Sequence, residues 1–362
     1  MADKLRRIFD ASVTIQAGAA SVAGFGTIAV IDDGNDFGGD RTKSFSTLQA
    51  VNDDTGMTSE CKAYLQEIFK RDRVPTPIIA VAYDSTVPET IADAMNEARA
   101  EVDFYWVGTS SRTDADSDNL IDWAISGGDG DWLLFPCVQT SNADAITNGY
   151  PSAFSGVETS TRKCIIYEAD DDLYLDAQWL AAQAATDFAQ FAVSGSCILQ
   201  GGTQASSVGD TAADNLDDNG IAWFGTLRNS SKTGDVHLYR APATSTEAAY
   251  VQITADYALD RLDVEFAALI GEAETENSRI PGGVEGEAVI AATVDAALAP
   301  ISGDGDAAWL SPTEAEGFGG RAYSLSLSYA AGTQTWSGTL RLNIRDSVKE
   351  IDLTGLLGRY TA

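Results

Sequence analysis

"TSECKAYLQEIFKRDRVPTPIIAVA", Thr58 to Ala82, sets two different periods side by side. In its first half Cys61, Tyr64, Leu65, Ile68 and Phe69 fall on one helical face, with Thr58 or Ser59 as an N-cap. Pro75-Thr76-Pro77 then stops the helix, and Ile78-Ile79-Ala80-Val81-Ala82 reads as a strand. The alternation continues downstream. A helix near Glu89 to Glu101 leads to the strand Phe104–Gly108. Another, Asp118 to Ser126, ends at Gly127-Gly128 and leads to Trp132–Phe135. The strand Cys164–Tyr167 precedes a long helix, Asp176 to Ala192. Strands alternating with helices predict a mostly parallel sheet with helices packed on it, over about residues 35 to 205.

Upstream lies "VTIQAGAASVAGFGTIAVID", Val13 to Asp32. Two strand-like runs, Val13-Thr14-Ile15-Gln16 and Thr27 to Ile31, flank a stretch of Gly, Ala and Ser. Such residues suit a place where another backbone approaches closely, from the same chain or from a neighbour, and equally a flexible turn. Gly18, Gly24 and Gly26 are the candidate hinge. Downstream, Gly201 to Gly234 is polar and turn-rich and reads as a surface loop or a short helix. Tyr250 to Ala273 reads as an amphipathic helix, Pro281 interrupts, and Glu285 to Ala299 forms a second helix. At the end, Tyr323, Leu325, Leu327 and Tyr329 alternate with serines, and Leu340, Leu342 and Ile344 alternate with polar residues. That pattern predicts an antiparallel hairpin with one buried face. The expected fold is α/β plus α+β, with an α/β segment over residues 35–240 between residues 1–34 and 241–362.

Charge is the strongest compositional signal. The 362 residues carry 54 Asp and Glu against 23 Lys and Arg, a formal net charge of -31. Only 7 of the bases are Lys, and 37 of the acids are Asp. Patterned apolar segments throughout the chain argue against disorder. So negative a surface makes nucleic acid and anionic membranes poor partners. Excess Asp and scarce Lys resemble the usage of proteins from extreme halophiles, where molar salt screens self-repulsion within roughly 3 Å. No apolar run is long enough for a membrane span, and MADKLRRIFD is followed by no signal-peptide core, which predicts folding in a cytoplasm.

The search for chemistry returns little. Cys61, Cys137, Cys164 and Cys197 lie far apart without CxxC spacing, so isolated buried thiols are expected rather than a metal site or a disulfide framework. The one histidine, His237, stands in a strand-like run, VHLYR, and reads as structural or solvent-facing. The loop DDGNDFGGD lacks the calcium-loop pattern, and Gly18, Gly24 and Gly26 miss the dinucleotide spacing. The clusters Asp114-Asp116-Asp118 and Asp170-Asp171-Asp172 read as salt-adapted loops. With no catalytic, cofactor or metal constellation above background, the chain is expected not to be an enzyme. An acidic carboxylate enzyme and a surface binding module (adhesin) are the alternatives.

Four segments, in order along the chain, resemble the sheath proteins of contractile phage tails, specifically the compact sheath-like family of many myophages. They are AGFGT (Ala23 to Thr27), RVPTPIIAVA (Arg73 to Ala82), the helices ITADYALDRLDVEFAALI and RIPGGVEGEAVIAATVDAALA, and the terminus LRLNIRDSVKEIDLTGLLGRYTA. The resemblance implies a virion subunit that polymerises helically around a tail tube and contracts to drive the tube through a host envelope. Its partners would be itself, the tube protein, and baseplate and tail terminator proteins, with no cofactor. It further implies an inner α+β domain built from residues 1–34 and 241–362, with residues 35–240 inserted as an α/β domain, and terminal strands exchanged between subunits, through Val13, Thr14, Ile15 and Gln16 at one end and Leu340, Leu342, Ile344, Ile351 and Leu353 at the other. Strand addition needs an alternating edge segment rather than a specialised side chain.

Overall fold

The structure, a computed structural model, describes residues 26–34, 37–72, 74–86, 89–126, 134–147, 149–154, 163–185, 197–226, 236–238, 262, 265, 283–303, 310–314, 317–330 and 335–343. Among them, an eight-stranded sheet is built from β1 (Ile28–Asp33), β2 (Thr42–Phe45), β3 (Ile78–Tyr83), β4 (Trp106–Thr109), β5 (Phe135–Thr140), β6 (Cys164–Tyr167), β7 (Ala222–Thr226) and β8 (Val236–Leu238). The spatial order is β2-β3-β1-β4-β5-β6-β7-β8. The strands from β3 across to β7 are parallel. The outer two, β2 and β8, run antiparallel to their neighbours.

β1 occupies the middle, with Val30 opposite Ala80 on one side and Gly108 on the other. A strand with neighbours on both edges and helices on both faces has an apolar residue at every position. Ile28 to Ile31 accordingly show 1% exposure or less. Residues 28–33, expected within the inner domain, form an interior strand of this sheet, paired with β3 and β4.

Helices cover both faces. α1 (Leu48–Asp53), α2 (Ser59–Ile68) and α5 (Leu175–Ala185) lie on one side, where Tyr64, Leu65, Trp179 and Leu180 pack on Val30, Ile78, Trp106 and Cys164. α3 (Ile91–Glu101), α4 (Asp114–Ser126) and α6 (Asp210–Asp218) lie on the other, where Met95, Leu120, Ile121 and Trp123 meet Ala29, Ile31, Val81 and Val107. Gly108 lets the first layer seat closely. A Cβ there would fall 2.8 Å from Leu180 Cδ1 and nearer still to the Tyr64 hydroxyl. Helix starts follow the expected chemistry: Thr58 Oγ1 accepts from Cys61 N at 3.1 Å, and Thr90 forms a reciprocal capping box with Asp93.

Several boundaries differ from expectation for local reasons. α4 begins at Asp114, not Asp118, because Asp114 and Asp116 suit a helix N-terminus and Thr113 Oγ1 accepts from Asp116 N. That part of the Asp114-Asp116-Asp118 cluster is thus helical rather than loop. Of the strand predicted at 132–135, residues 132–133 lie outside the described residues, and the strand that follows runs Phe135 to Thr140, through Pro136. Pro136 sits where pairing passes from β4 (Val107↔Pro136) to β6 (Cys137↔Cys164), so its missing N–H interrupts little of the ladder. The polar stretch 201–234 holds both α6 and β7. All four cysteines are buried and free, yet Cys137 and Cys164 face each other in register, so these two are neighbours rather than isolated.

The C-terminal part comprises α7 (Val284–Leu298), a 3-10 turn at Ala299–Ile301, and a hairpin of β9 (Tyr323–Ala330) and β10 (Thr335–Leu342). The apolar cluster beneath α2 and α5 continues into Val294, Leu298, Ile301, Leu310 and Tyr323. The helix expected over 250–273 lies almost wholly outside the described residues. Leu262 within it is helical and buried in the same cluster. No helix among the described residues is long and apolar enough to cross a membrane.

Candidate assembly interface

The hairpin register puts two chemistries on two faces. Tyr323 opposes Leu342, Leu325 opposes Leu340, Leu327 opposes Gly338 and Tyr329 opposes Trp336. Ser324, Ser326 and Ser328 oppose Arg341, Thr339 and Ser337 on the other face. Leu325, Leu340 and Leu342 are half-buried against the main core. Tyr323 is buried, and its hydroxyl donates to Asp295 on α7. Burial, with that carboxylate bond, pushes its phenol up to about 12. Toward the turn, the rings of Tyr329 and Trp336 lie 5.0 Å apart. Leu327 lies across Gly338, whose Cβ would sit 2.7 Å from Leu327 Cδ2 and 2.9 Å from the Ser326 carbonyl.

Backbone bonds tie the hairpin base to the preceding segment: Asn343 N donates to Ala322 O at 2.9 Å and Ser311 N to Asn343 O at 3.0 Å. Between α7 and β9 lies a groove of about 260 Å³, bordered by Glu287, Ala291, Asp295, Phe318, Arg321 and Leu327. Alternation in the sequence finds the hairpin. It does not find this groove, because Phe318 is brought there by a turn in which Gly317, Gly319 and Gly320 take φ of 91°, 59° and 76°.

Of the residues expected to exchange strands, Leu340 and Leu342 lie on the apolar face of β10. Val13, Thr14, Ile15, Gln16, Ile344, Ile351 and Leu353 lie outside the described residues, as do Gly18 and Gly24 of the hinge. Gly26 is described just before β1. The nearest atom to a Cβ there is the Ala184 carbonyl oxygen, at 3.7 Å. At that end of the small-residue stretch, the approaching backbone belongs to α5 of the same chain.

A sheet of this topology commonly binds ligands outside the carboxyl ends of its strands, where the strand order reverses, here between β1 and β4. This chain fills that edge with its own side chains. Asp32 accepts from Thr58 N at 3.2 Å and from the Thr58 hydroxyl, so a carboxylate already occupies the N-terminus of α2. Glu168 accepts from Asp170 N at 3.0 Å, from Ser206 N at 2.8 Å and from the Ser206 hydroxyl. Arg112 pairs with the buried Asp176 at 3.1 Å and lies 4.1 Å from the Tyr174 ring centroid. Burial pushes the Asp176 carboxyl up against the pull of Arg112. These contacts join loops to helices and leave the carboxylates satisfied by the chain itself.

No protein-family model matches the sequence, and no curated protein does. Solved structures do share the fold over nearly the whole chain. The helical sheath of the anti-feeding prophage in its contracted state matches at a TM-score of 0.63 and 12% identity, over 95% of each chain. A chain of that particle's 6-fold symmetrised baseplate structure matches at 0.65 and 11% identity, over 94% of this chain and 96% of that one. A chain of its baseplate structure in the contracted state matches at 0.59 and 12% identity, over 96% of both. The chain has the fold of these sheath and baseplate structures.

Proposed function

We propose that this chain is a structural subunit of a contractile tail sheath, polymerising helically around a tail tube. The observation that supports the reading most directly is the match of 95% of this chain to 95% of the anti-feeding prophage sheath subunit. A likeness covering both the α/β layer and the C-terminal hairpin extends beyond the α/β sheet that many unrelated proteins share. On this reading the partners are further copies of the chain, the tube protein, and baseplate and terminator proteins. The chain acts in the virion tail without enzymatic activity or cofactor. A head-to-tail interface that does not close produces the open helix a sheath requires. Strand exchange would run through Val13 to Gln16 of one copy and Leu340, Leu342, Ile344, Ile351 and Leu353 of another. Contraction would then release a trapped extended packing and drive the tube, and with it the genome, through the host envelope. The acidic composition fits a halophilic host.

The matches to baseplate structures favour a second reading, a subunit confined to the baseplate end of such a tail. Negative-stain imaging of the full chain in molar KCl separates the two. Long hollow cylinders are expected from a sheath subunit, and discrete rings from a baseplate one. Small particles at every salt concentration would count against both. A parallel sample lacking residues 1–20 tests the arm: cylinders that survive the truncation would remove residues 13–16 from the assembly contacts.

A further inference from the structure

The acids of this chain are not evenly spread. Asp and Glu occur about once in seven residues overall, yet none lies between Gly317 and Arg345, the longest such run in the sequence. That run holds Arg321, Arg341 and Arg345, so a locally positive segment is set in a chain of net charge -31. It coincides with the hairpin β9–β10. On the hairpin's hydroxyl-rich face, Ser326, Ser328, Ser337, Thr339 and Arg341 are all exposed. Arg341 is the arginine of that face, and among the described residues it forms no ion pair.

We infer that this hydroxyl and arginine face docks on the acidic α/β surface of a second copy of the chain. The argument is charge complementarity. Two copies at -31 repel wherever both present carboxylates, and the approach that costs least brings a carboxylate-free face to an acidic one. The α/β layer offers acidic surface: Asp210, Asp214 and Asp218 are exposed at four-residue spacing along α6, and Asp170, Asp171 and Asp172 are exposed in one turn. An acid-free face carrying Arg341, meeting an acidic face elsewhere on the molecule, is a heterologous contact, which propagates rather than closes. The hydroxyls supply hydrogen-bond donors to carboxylates without adding charge of their own. This contact is distinct from strand addition, which uses the backbone edge rather than a side-chain face. It rests on the sheath reading only in naming a second copy as the partner.

The test uses the full chain in KCl at which it assembles, with light scattering giving the subunit concentration at half-assembly. Ser326→Glu and Arg341→Glu are expected to raise that concentration about tenfold or more. Ser326→Lys is expected to leave it unchanged or lower it. Equal shifts from Ser326→Glu and Ser326→Lys, or none from either, overturn the inference, since damage to folding would not follow the sign of the charge. A second measurement places a photo-crosslinking residue at Thr339 of the full chain. A copy-to-copy product that grows with concentration is expected, and its absence overturns the inference. If no polymer forms in any salt while that product appears, the sheath reading fails and the docking face stands.

Discussion

Asp54 shows how much a single side chain carries near the edge of the sheet. Its carboxylate pairs with Lys43 and accepts from Gly56 N and Met57 N, both at 2.8 Å. Burial alone would raise this carboxyl, but Lys43 and the two amides hold it below the ordinary value. A group lowered in the folded state stabilises above its unfolded pKa of about 3.9 and loses that contribution as pH falls through the folded value. Asp54→Ala is expected to cost about 2 kcal/mol at pH 7. In urea titrations the gap to wild type should narrow below about pH 4. A gap independent of pH would show that packing, not charge, is lost. At Gly338, substitution by Val drives a side chain into Leu327 and the Ser326 carbonyl. Overpacking of this kind costs about 1–3 kcal/mol, to be read as a lowered thermal midpoint. The Thr58 cap was legible in the sequence because its pattern is local. Gly338 was not, because the side chain that needs its space comes from the opposite strand.

At the scale of elements, period and burial decided what could be read. β3 and α2 were legible because each repeats one period over enough residues to separate helix from strand. α3 carries its own start signal, and Thr90→Ala, which breaks the capping box, is expected to cost about 1 kcal/mol. Hydrogen exchange should rise first in the N-terminal turn of α3, and a uniform rise across the chain would contradict a local role for the cap. β2 and β7 escaped notice for a physical reason. β2 is a four-residue edge strand, Thr-Lys-Ser-Phe, with a single apolar residue, and β7 is a five-residue run containing Gly225. The run of β5 beyond Phe135 is not legible because proline in a central strand reads as a stop, and only the change of neighbour at Pro136 shows why it is tolerated. The assembly face was half legible. Alternation gave its strands, but its significance lies in the absence of acids from one stretch, which no period reveals.

Over the whole molecule, the dominant quantity is -31 charges on one chain. Raising salt from about 0.1 to 1 M shortens the screening length from roughly 10 to 3 Å. The thermal midpoint should therefore rise steadily with KCl, and a midpoint that falls or stays level would remove the case for a salt-adapted protein. The placement of β1 bears on load. Residues 1–25 are covalently joined, through Gly26 and Thr27, to an interior strand of the sheet, which is bonded in parallel to β3 on one edge and β4 on the other. A tension applied through that terminus along the strand axis would shear both ladders at once instead of opening their bonds one by one. If a neighbouring subunit grips those residues, the chain presents to the pull a strand held on both edges, and the joint should yield at the grip before the sheet does.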